Sequence, residues 1–282
     1  MNSTSLKELV KEKYSSIAMQ SKEQNQSSCC GATSCGDPVY NIMSDDYTKV
    51  DGYNPEADLG LGCGLPTEFA KMSSGNTVLD LGSGAGNDAF VARKVVGDSG
   101  TVIGVDFTDA MISLAKKNAS ALGFTNVEFR TGDIEDLPVT SNSIDVVVSN
   151  CVLNLVPNKH KVFSEIFRVL KPGAHFSISD IVLEGELPSK WKEVAEMYAG
   201  CVSGAIQKQD YRQIITEAGF DRITIQKDKT IHIPEEVLAA YFSPEEIKTF
   251  RASETRITSI TVYAEKPAKD NRNCCEPGSE CC

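Results

Sequence analysis

The chain has 282 residues, of which 41% are hydrophobic, and its formal net charge is −11. A chain of this length is expected to form one large domain or two small ones. Proteins that bind DNA or RNA present a basic surface that displaces counterions from phosphates, and this acidic sequence has no stripe of lysine and arginine. The composition therefore argues against a nucleic-acid substrate.

We find no targeting or membrane-spanning signal in the sequence. Residues 1–13 are polar and charged, without the apolar stretch of a signal peptide. No apolar run approaches the roughly 18 residues that cross a bilayer. We therefore expect a cytoplasmic protein that does not associate with membranes.

The predicted elements begin with a helix over residues 5–18. Leu6, Leu9, Val10 and Tyr14 recur there at the spacing of one helix face. Tyr14 could reach a cofactor from this helix, but we favour a role in packing. A polar segment with three cysteines follows this helix.

From residue 77 onward, short apolar strands alternate with helices. The predicted strands are 77–81, 101–106, 127–130, 144–150 and 175–182, and the predicted helices are 87–96, 108–123 and 159–173. Thr108 is the expected N-cap of the second helix, and Pro172-Gly173 is expected to end the third. This alternation is typical of an α/β fold with a doubly wound, mostly parallel, Rossmann-like sheet.

The remaining sequence is less regular. Residues 188–219 predict two helices, and residues 222–228 and 256–266 predict a closing antiparallel pair of strands at the sheet edge. We divide the chain into an N-terminal helix and cysteine-containing cap, a Rossmann-like cofactor domain, a smaller C-terminal substrate-binding part and a disordered cysteine-rich tail. The corresponding ranges are 1–66, 67–183, 184–266 and 267–282.

A glycine-rich turn after the first strand predicts a cofactor site. Gly82, Gly84 and Gly86 are spaced GxGxG, unlike the GxGxxG of dinucleotide sites. Asp80 lies just before the turn, where a carboxylate would repel a pyrophosphate and attract an ammonium group. This detail argues against a nicotinamide-dependent dehydrogenase.

Two further acids follow the next strands. Asp106 ends the second strand, where an acid can accept hydrogen bonds from ribose hydroxyls. Asp133 follows the third strand and could accept from an adenine amino group, with Ile134 against the ring. Open α/β sheets bind ligands at the carboxyl ends of their strands, so these acids predict one shared site.

This set of residues resembles the class I S-adenosylmethionine methyltransferases, from about Thr77 to Asp180. The resemblance implies S-adenosylmethionine as cofactor, with Asp80, Asp106 and Asp133 in contact with it. The residues predicted to bind the cofactor are Gly62, Asp80, Gly82, Ser83, Gly84, Asp106, Phe107, Met111, Asp133, Ile134 and Asn150.

The cysteines indicate the methyl acceptor. Cys63 precedes the first strand, Cys151 follows the fourth, and Cys201 lies in the less regular C-terminal part. Structural zinc usually draws on paired Cys-x-x-Cys spacings, which these three do not form. A convergent set of soft thiolates suits a soft, thiophilic centre such as trivalent arsenic, whose lone pair can attack a sulfonium methyl without a general base.

The segments LGLGCG, SNCVLNLVP and AGCVSGA resemble the signatures of the arsenite methyltransferases. The resemblance implies that Cys151 and Cys201 bind arsenic. It also implies that Cys63 pairs with an earlier cysteine during turnover. That partner could be Cys29, Cys30 or Cys35, and we favour Cys35. Cys63 is also expected to bind inorganic arsenite, which can use three thiolates.

The resemblance extends to partners of the reaction. We expect a thiol reductant, either glutathione or thioredoxin, as co-substrate and arsenite as the small-molecule substrate. We also expect a monomer whose protein partner could be thioredoxin or an arsenic-delivering protein. The cysteine pairs in NCCEPGSECC could capture arsenite or be nonessential. The alternatives are a methyltransferase for a carbon or oxygen acceptor, which leaves the cysteines unexplained, and a thiol-rich metal-binding protein.

Overall fold

A computed structural model of the chain describes residues 3–19, 45–187, 204–233, 235–239 and 242–268. The strands in these residues are β1 Thr77–Leu81, β2 Thr101–Asp106, β3 Val127–Thr131, β4 Ile144–Asn150, β5 Leu170–Glu184, β6 Asp221–Thr230 and β7 Arg256–Glu265. They form one sheet in the order β3-β2-β1-β4-β5-β7-β6. Strands β1 to β5 pair in parallel, whereas β7 runs antiparallel to both β5 and β6. The predicted fold class and antiparallel edge are therefore confirmed.

Helices cover the sheet on both faces. The α-helices of the described residues are α1 Ser3–Ala18, α2 Pro66–Phe69, α3 Asn87–Val96, α4 Asp109–Ala121, α5 Lys159–Val169, α6 Lys208–Glu217, α7 Glu235–Ala239 and α8 Pro244–Ala252. Short 3₁₀ helices occupy Tyr47–Lys49 and Leu153–Leu155. None of the helices in this part of the chain combines the length and apolar character needed to cross a bilayer.

Two large apolar clusters lie on opposite faces of the sheet. On one face, Phe163 of α5 packs against Phe176 of β5 and Tyr211 of α6, with ring centroids 5.7 and 5.6 Å away. On the other face, Phe90 of α3 packs against Phe129 of β3 at 6.0 Å. Because both faces are covered, the central strands are continuous apolar runs rather than alternating ones.

Two details differ from the sequence-based expectations. Helix α5 ends at Val169, and β5 begins at once with Leu170. Pro172 disfavours helical backbone at the residue directly before it, Lys171, so the helix does not continue to Gly173. Pro172 and Gly173 therefore lie within the strand rather than at a helix end. Thr108 does occupy the N-cap of α4, but its side chain makes no capping hydrogen bond.

A third cluster of buried residues surrounds two cysteines beside β5 and β7. It contains Cys63 and Cys151 together with Ile181, Leu183, Leu187, Ile231, Leu238, Phe242, Ile247 and Ile257. Helices α7 and α8 supply Leu238 and Ile247. The C-terminal part of the chain thus contributes strands β6 and β7 to the sheet and also supplies apolar side chains that cover the cysteines.

Candidate active site

A cavity opens at the carboxyl ends of β1, β2 and β4, beside the loop after β3. Every residue predicted from the sequence to bind the cofactor lines it: Gly62, Asp80, Gly82, Ser83, Gly84, Asp106, Phe107, Met111, Asp133, Ile134 and Asn150. Cys151 lines the same cavity. The structure therefore brings the predicted cofactor residues and one predicted arsenic ligand into a single site.

The glycine-rich turn after β1 forms the floor of the cavity. Gly82 has a φ of 67°, and a Cβ atom on it would lie 2.4 Å from a methyl of Val152. The amide groups of Gly82 and Ser83 both donate to the carbonyl of Val105, at 2.7 and 3.1 Å. Only glycine meets both the left-handed backbone and the close contact at residue 82.

Buried carboxylates give the cavity its chemical character. Five aspartates line it, whereas Lys7 is the only basic residue among the described lining residues. Burial raises the pKa of Asp80 well above its usual value, and the negative charges of Asp88 and Asp106 raise it further. The Oδ2 atom of Asp80 is buried without a hydrogen-bond partner among the described residues. This arrangement fits a ligand that brings a positive charge to Asp80.

Asp106 is also buried but is braced by the backbone. One carboxylate oxygen accepts from the amide of Gly84 at 3.0 Å, and the other accepts from the amide of Thr108 at 2.8 Å. Burial raises the pKa of Asp106, while these two backbone hydrogen bonds lower it. The carboxylate thus joins the glycine-rich turn to the start of α4 at the position expected for a ribose.

Helix α1 closes the cavity beside Asp133. The ammonium of Lys7 contacts the Asp133 carboxylate at 2.6 Å and also bonds to Glu135. Tyr14 lies about two turns after Lys7 on the same face of α1. It is half-buried and also lines the cavity. Of the two roles that the sequence allows for Tyr14, packing and reaching the cofactor, its place in the cavity wall favours the second.

The structure joins Cys63 and Cys151 in a disulfide, with Cα atoms 5.6 Å apart. The resemblance to arsenite methyltransferases implies a different pairing, between Cys63 and an N-terminal cysteine, with Cys151 as an arsenic ligand. Both sulfur-bearing residues are buried, with exposures of 0% and 3%. Cys35 and Cys201 lie outside the described residues, as do Cys29 and Cys30. The two cysteines that are described therefore meet at the cavity wall.

Sequence reasoning missed two buried residues of the site. Asp88, in the first turn of α3, accepts hydrogen bonds from the hydroxyl of Tyr47 at 2.8 and 3.0 Å. An acid in the helix turn that follows a glycine-rich motif could have been noted from the sequence. Tyr47 carries no such signal, because it precedes the motif by more than thirty residues.

Comparison with known proteins agrees with this geometry. A family model described as a methyltransferase domain matches residues 72–219. An arsenite methyltransferase of Halobacterium salinarum is 39% identical over 278 residues, which cover 94% of this chain and 68% of that protein. An arsenite methyltransferase of Aquipseudomonas alcaligenes is 34% identical over 239 residues, which cover 82% of this chain and 67% of that protein.

A solved structure extends the likeness. An arsenic(III) S-adenosylmethionine methyltransferase from Chlamydomonas reinhardtii superposes with a TM-score of 0.60 at 31% identity, covering 80% of this chain and 74% of that one. The Rossmann-like sheet and the acid-lined cavity thus define a methyltransferase of class I. Among these enzymes, the chain belongs to the arsenite methyltransferase family.

Proposed function

We propose that the chain transfers methyl groups from S-adenosylmethionine to trivalent arsenic and so converts arsenite into methylated arsenicals. The observation that carries this proposal is the position of Cys151. It lies in the wall of the acid-lined cavity and within bonding distance of Cys63. A thiophilic atom bound to Cys151 would therefore lie at the wall of the cavity that receives the cofactor.

Each of three aspartates in the cavity binds a different part of the cofactor. Asp80, buried without a cationic partner among the described residues, binds the methionine ammonium. Asp106 accepts from the ribose hydroxyls, and Asp133 with Ile134 receives the adenine. The bound cofactor supplies an electrophilic methyl group at a sulfonium centre. The chain's own contribution is to hold the two reactants in line, which can account for a large part of the rate enhancement.

The cysteines hold the acceptor. Opening the Cys63–Cys151 disulfide requires two electrons, which glutathione or thioredoxin supplies by thiol exchange. The thiols then displace water from arsenite and bind arsenic through sulfur, with Cys201 as the third ligand. Gly204, three residues after Cys201 in the chain, lies against the carbonyl of Asn154 in the loop that follows Cys151.

Transfer of the methyl group as a cation formally oxidises arsenic by two electrons. A thiol pair returns them by forming a disulfide, and we assign this step to Cys35 and Cys63. The buried apolar surroundings of Cys63 and Cys151 limit the access of water to this chemistry. The proposal includes a cytoplasmic location and a monomeric enzyme.

The test is product analysis with each cysteine replaced in turn. The wild-type protein, supplied with S-adenosylmethionine, a thiol reductant and either arsenite or monomethylarsenite, should yield methylated arsenicals by chromatography and mass spectrometry. Cys151→Ser and Cys201→Ser should abolish both reactions. Cys63→Ser should abolish methylation of arsenite and spare part of the second step, because monomethylarsenite needs only two thiolates.

Cofactor affinity provides the control for these variants. Calorimetric titration should give the wild-type affinity for S-adenosylhomocysteine in each cysteine variant, since the proposal assigns the cofactor contacts to Asp80, Asp106 and Asp133 rather than to thiols. Wild-type methylation of arsenite by Cys151→Ser would show the thiolate site to be wrong.

A further inference from the structure

The side chain of Asn150 holds the backbone on both sides of Cys63. Its Oδ1 atom accepts from the amides of Cys63 and Gly64, at 3.0 and 3.3 Å. Its Nδ2 atom donates to the carbonyl of Gly64 at 2.9 Å. The amide thus pairs with the chain as a neighbouring strand would. Gly62 permits this close approach, because a Cβ atom there would lie 2.6 Å from Nδ2.

The amide group of Asn150 can make these three hydrogen bonds in only one of the two orientations that differ by exchange of Oδ1 and Nδ2. Rotation by 180° would turn Nδ2 toward the two amide donors of Cys63 and Gly64, and Oδ1 toward the carbonyl of Gly64. Each of these contacts would then oppose like with like, leaving partly buried polar groups unpaired. The orientation of Asn150 therefore decides whether the backbone of Cys63 is held.

Asp88 is placed to enforce that orientation. Its Oδ2 atom lies 3.1 Å from Nδ2 of Asn150, and the hydroxyl of Tyr47 lies 2.6 Å from the same nitrogen while donating to Asp88. A carboxylate is only an acceptor, so it attracts Nδ2 and repels Oδ1. Asp88 is 9% exposed; burial raises its pKa to about 6 and nearby Asp58 raises it too, while Tyr47 and Asn150 lower it. At neutral pH and above it is therefore ionised.

We infer that Asp88 is a positioning residue of the arsenic site: its carboxylate fixes the amide of Asn150, which holds Cys63 beside Cys151. Asp88 itself lines the cofactor cavity. One carboxylate thus links the wall of the cofactor site to the cysteine that the proposed function assigns to arsenic. The inference deepens that proposal but concerns only contacts within the protein.

Amide hydrogen exchange measures these contacts without arsenic. The amides of Cys63 and Gly64 should be protected in the wild-type protein, because Asn150 accepts from both. Asp88→Asn removes the repulsion that disfavours the rotated amide, and exchange of the peptide containing residues 61–65 should accelerate roughly tenfold or more, the effect expected for one charge-assisted hydrogen bond. Exchange in β1 and α4 should not change.

A swapped pair gives the sharper measurement. Asn150→Asp alone places two carboxylates together and should accelerate exchange further. Combining it with Asp88→Asn restores one carboxylate and one amide: the carboxylate accepts from the backbone amides of Cys63 and Gly64, and the new amide donates to it. The second carboxylate oxygen still faces the carbonyl of Gly64, so the restoration is partial. The double variant should therefore protect Cys63 and Gly64 better than the sum of the single effects. Asp210→Asn, in the exposed first turn of α6, is the matched control and should behave as wild type.

Kinetics then separate positioning from general destabilisation. Asp88→Asn should raise the KM for arsenite by roughly tenfold with a smaller change in kcat, and the swapped pair should recover part of it. Wild-type exchange in Asp88→Asn, or strict additivity in the double variant, would overturn the inference.

If Asn150→Asp does not fold, Tyr47→Phe replaces it. Removal of the bridging hydroxyl should accelerate amide exchange of residues 61–65, and wild-type exchange there would equally overturn the inference. A failure of arsenite methylation in the wild-type protein would refute the proposed function while leaving the exchange result intact.

Discussion

The two sides of the Asn150–Cys151 peptide differ sharply in chemistry. On the side of the cofactor cavity, the buried groups are aspartates, among them Asp80 and Asp88. On the side of the cysteines, a cluster of apolar side chains that includes Ile181 packs around Cys63 and Cys151. Cys151 lies at the boundary between the two environments, since it lines the acidic cavity and also belongs to the apolar cluster.

This contrast matches the two reactants of the proposed reaction. A cofactor with a sulfonium and an ammonium group gains most from a buried carboxylate such as Asp80, whose Oδ2 atom has no hydrogen-bond partner among the described residues, because the charge interaction is strong where water is excluded. Arsenic bound through sulfur is held by covalent bonds and needs no charged partner. The difference teaches that stability is given up on the acidic side for binding, whereas the apolar side stabilises the fold.

The largest expected effect concerns a buried carboxylate outside the cofactor cavity. Asp180 of β5 is fully buried, and burial raises its pKa to about 7, although Lys159 and the hydroxyl of Tyr211 lower it. Because the folded pKa lies above the unfolded one, the stability Asp180 contributes is present below about pH 4 and is lost as the pH rises to 7. Three pKa units correspond to about 4 kcal/mol.

Asp180→Asn should remove this dependence. The free energy of unfolding of the variant, relative to wild type, should therefore rise with pH across this range by up to about 4 kcal/mol. Urea unfolding at several pH values measures it. Parallel stability curves would show that the cost of a buried carboxylate is not general in this molecule.

The next effect tests the acidic side itself. Asp80→Asn should weaken the binding of S-adenosylmethionine by about 1.5–3 kcal/mol, the contribution of a hydrogen bond to a charged group. The same change should raise the free energy of unfolding of the ligand-free protein at pH 8, because it removes a carboxylate whose pKa is raised by burial and by Asp88 and Asp106. Calorimetry and urea unfolding measure the two effects. If Asp80→Asn lowers both the cofactor affinity and the free energy of unfolding, Asp80 does not sacrifice stability for cofactor binding, and the comparison is wrong.

The smallest effect tests the apolar side. Ile181→Val removes one methyl group from the cluster around the cysteines, at a side chain with 0% exposure, and should lower the free energy of unfolding by about 0.5–1.5 kcal/mol. The affinity for S-adenosylmethionine should not change. Ile225→Val, at a residue of β6 that is 38% exposed, is the matched control and should have little effect. A weaker cofactor affinity in Ile181→Val would show that the two sides are not independent.

The parallel half of the sheet was predictable because its strands are short apolar runs separated by glycines and caps. The predicted bounds of β1, α3, β2 and β4 agree with the structure residue for residue. The end of α5 was placed too late because helical periodicity continues to residue 170, while Pro172 already favours extended backbone.

The cofactor residues were predictable from topology, since parallel strands bring their carboxyl ends to one edge. The contacts of Tyr47 with Asp88 and Asn150 span 41 and 103 residues of sequence, and no local pattern encodes contacts of that range. The disulfide between Cys63 and Cys151 likewise spans 88 residues of sequence, so no local pattern predicts it. Spacing alone allowed several partners, and the choice depends on how β4 ends beside the Gly-Cys-Gly segment.

The long reach of the contacts around Cys63 has a consequence for biosynthesis. Its sulfur bonds to a residue 88 positions later, and its carbonyl accepts from the hydroxyl of Ser259, 196 positions later, at 2.6 Å. Contacts that close such long loops form late in folding, and domains are made from the N-terminus onward. A nascent chain therefore carries Cys63 and Cys151 out of the ribosome well before β7 exists to enclose them. The two thiols are therefore separate groups during translation, and a thiophilic ligand or an oxidant could reach them before Ile257 of β7 completes their apolar cover.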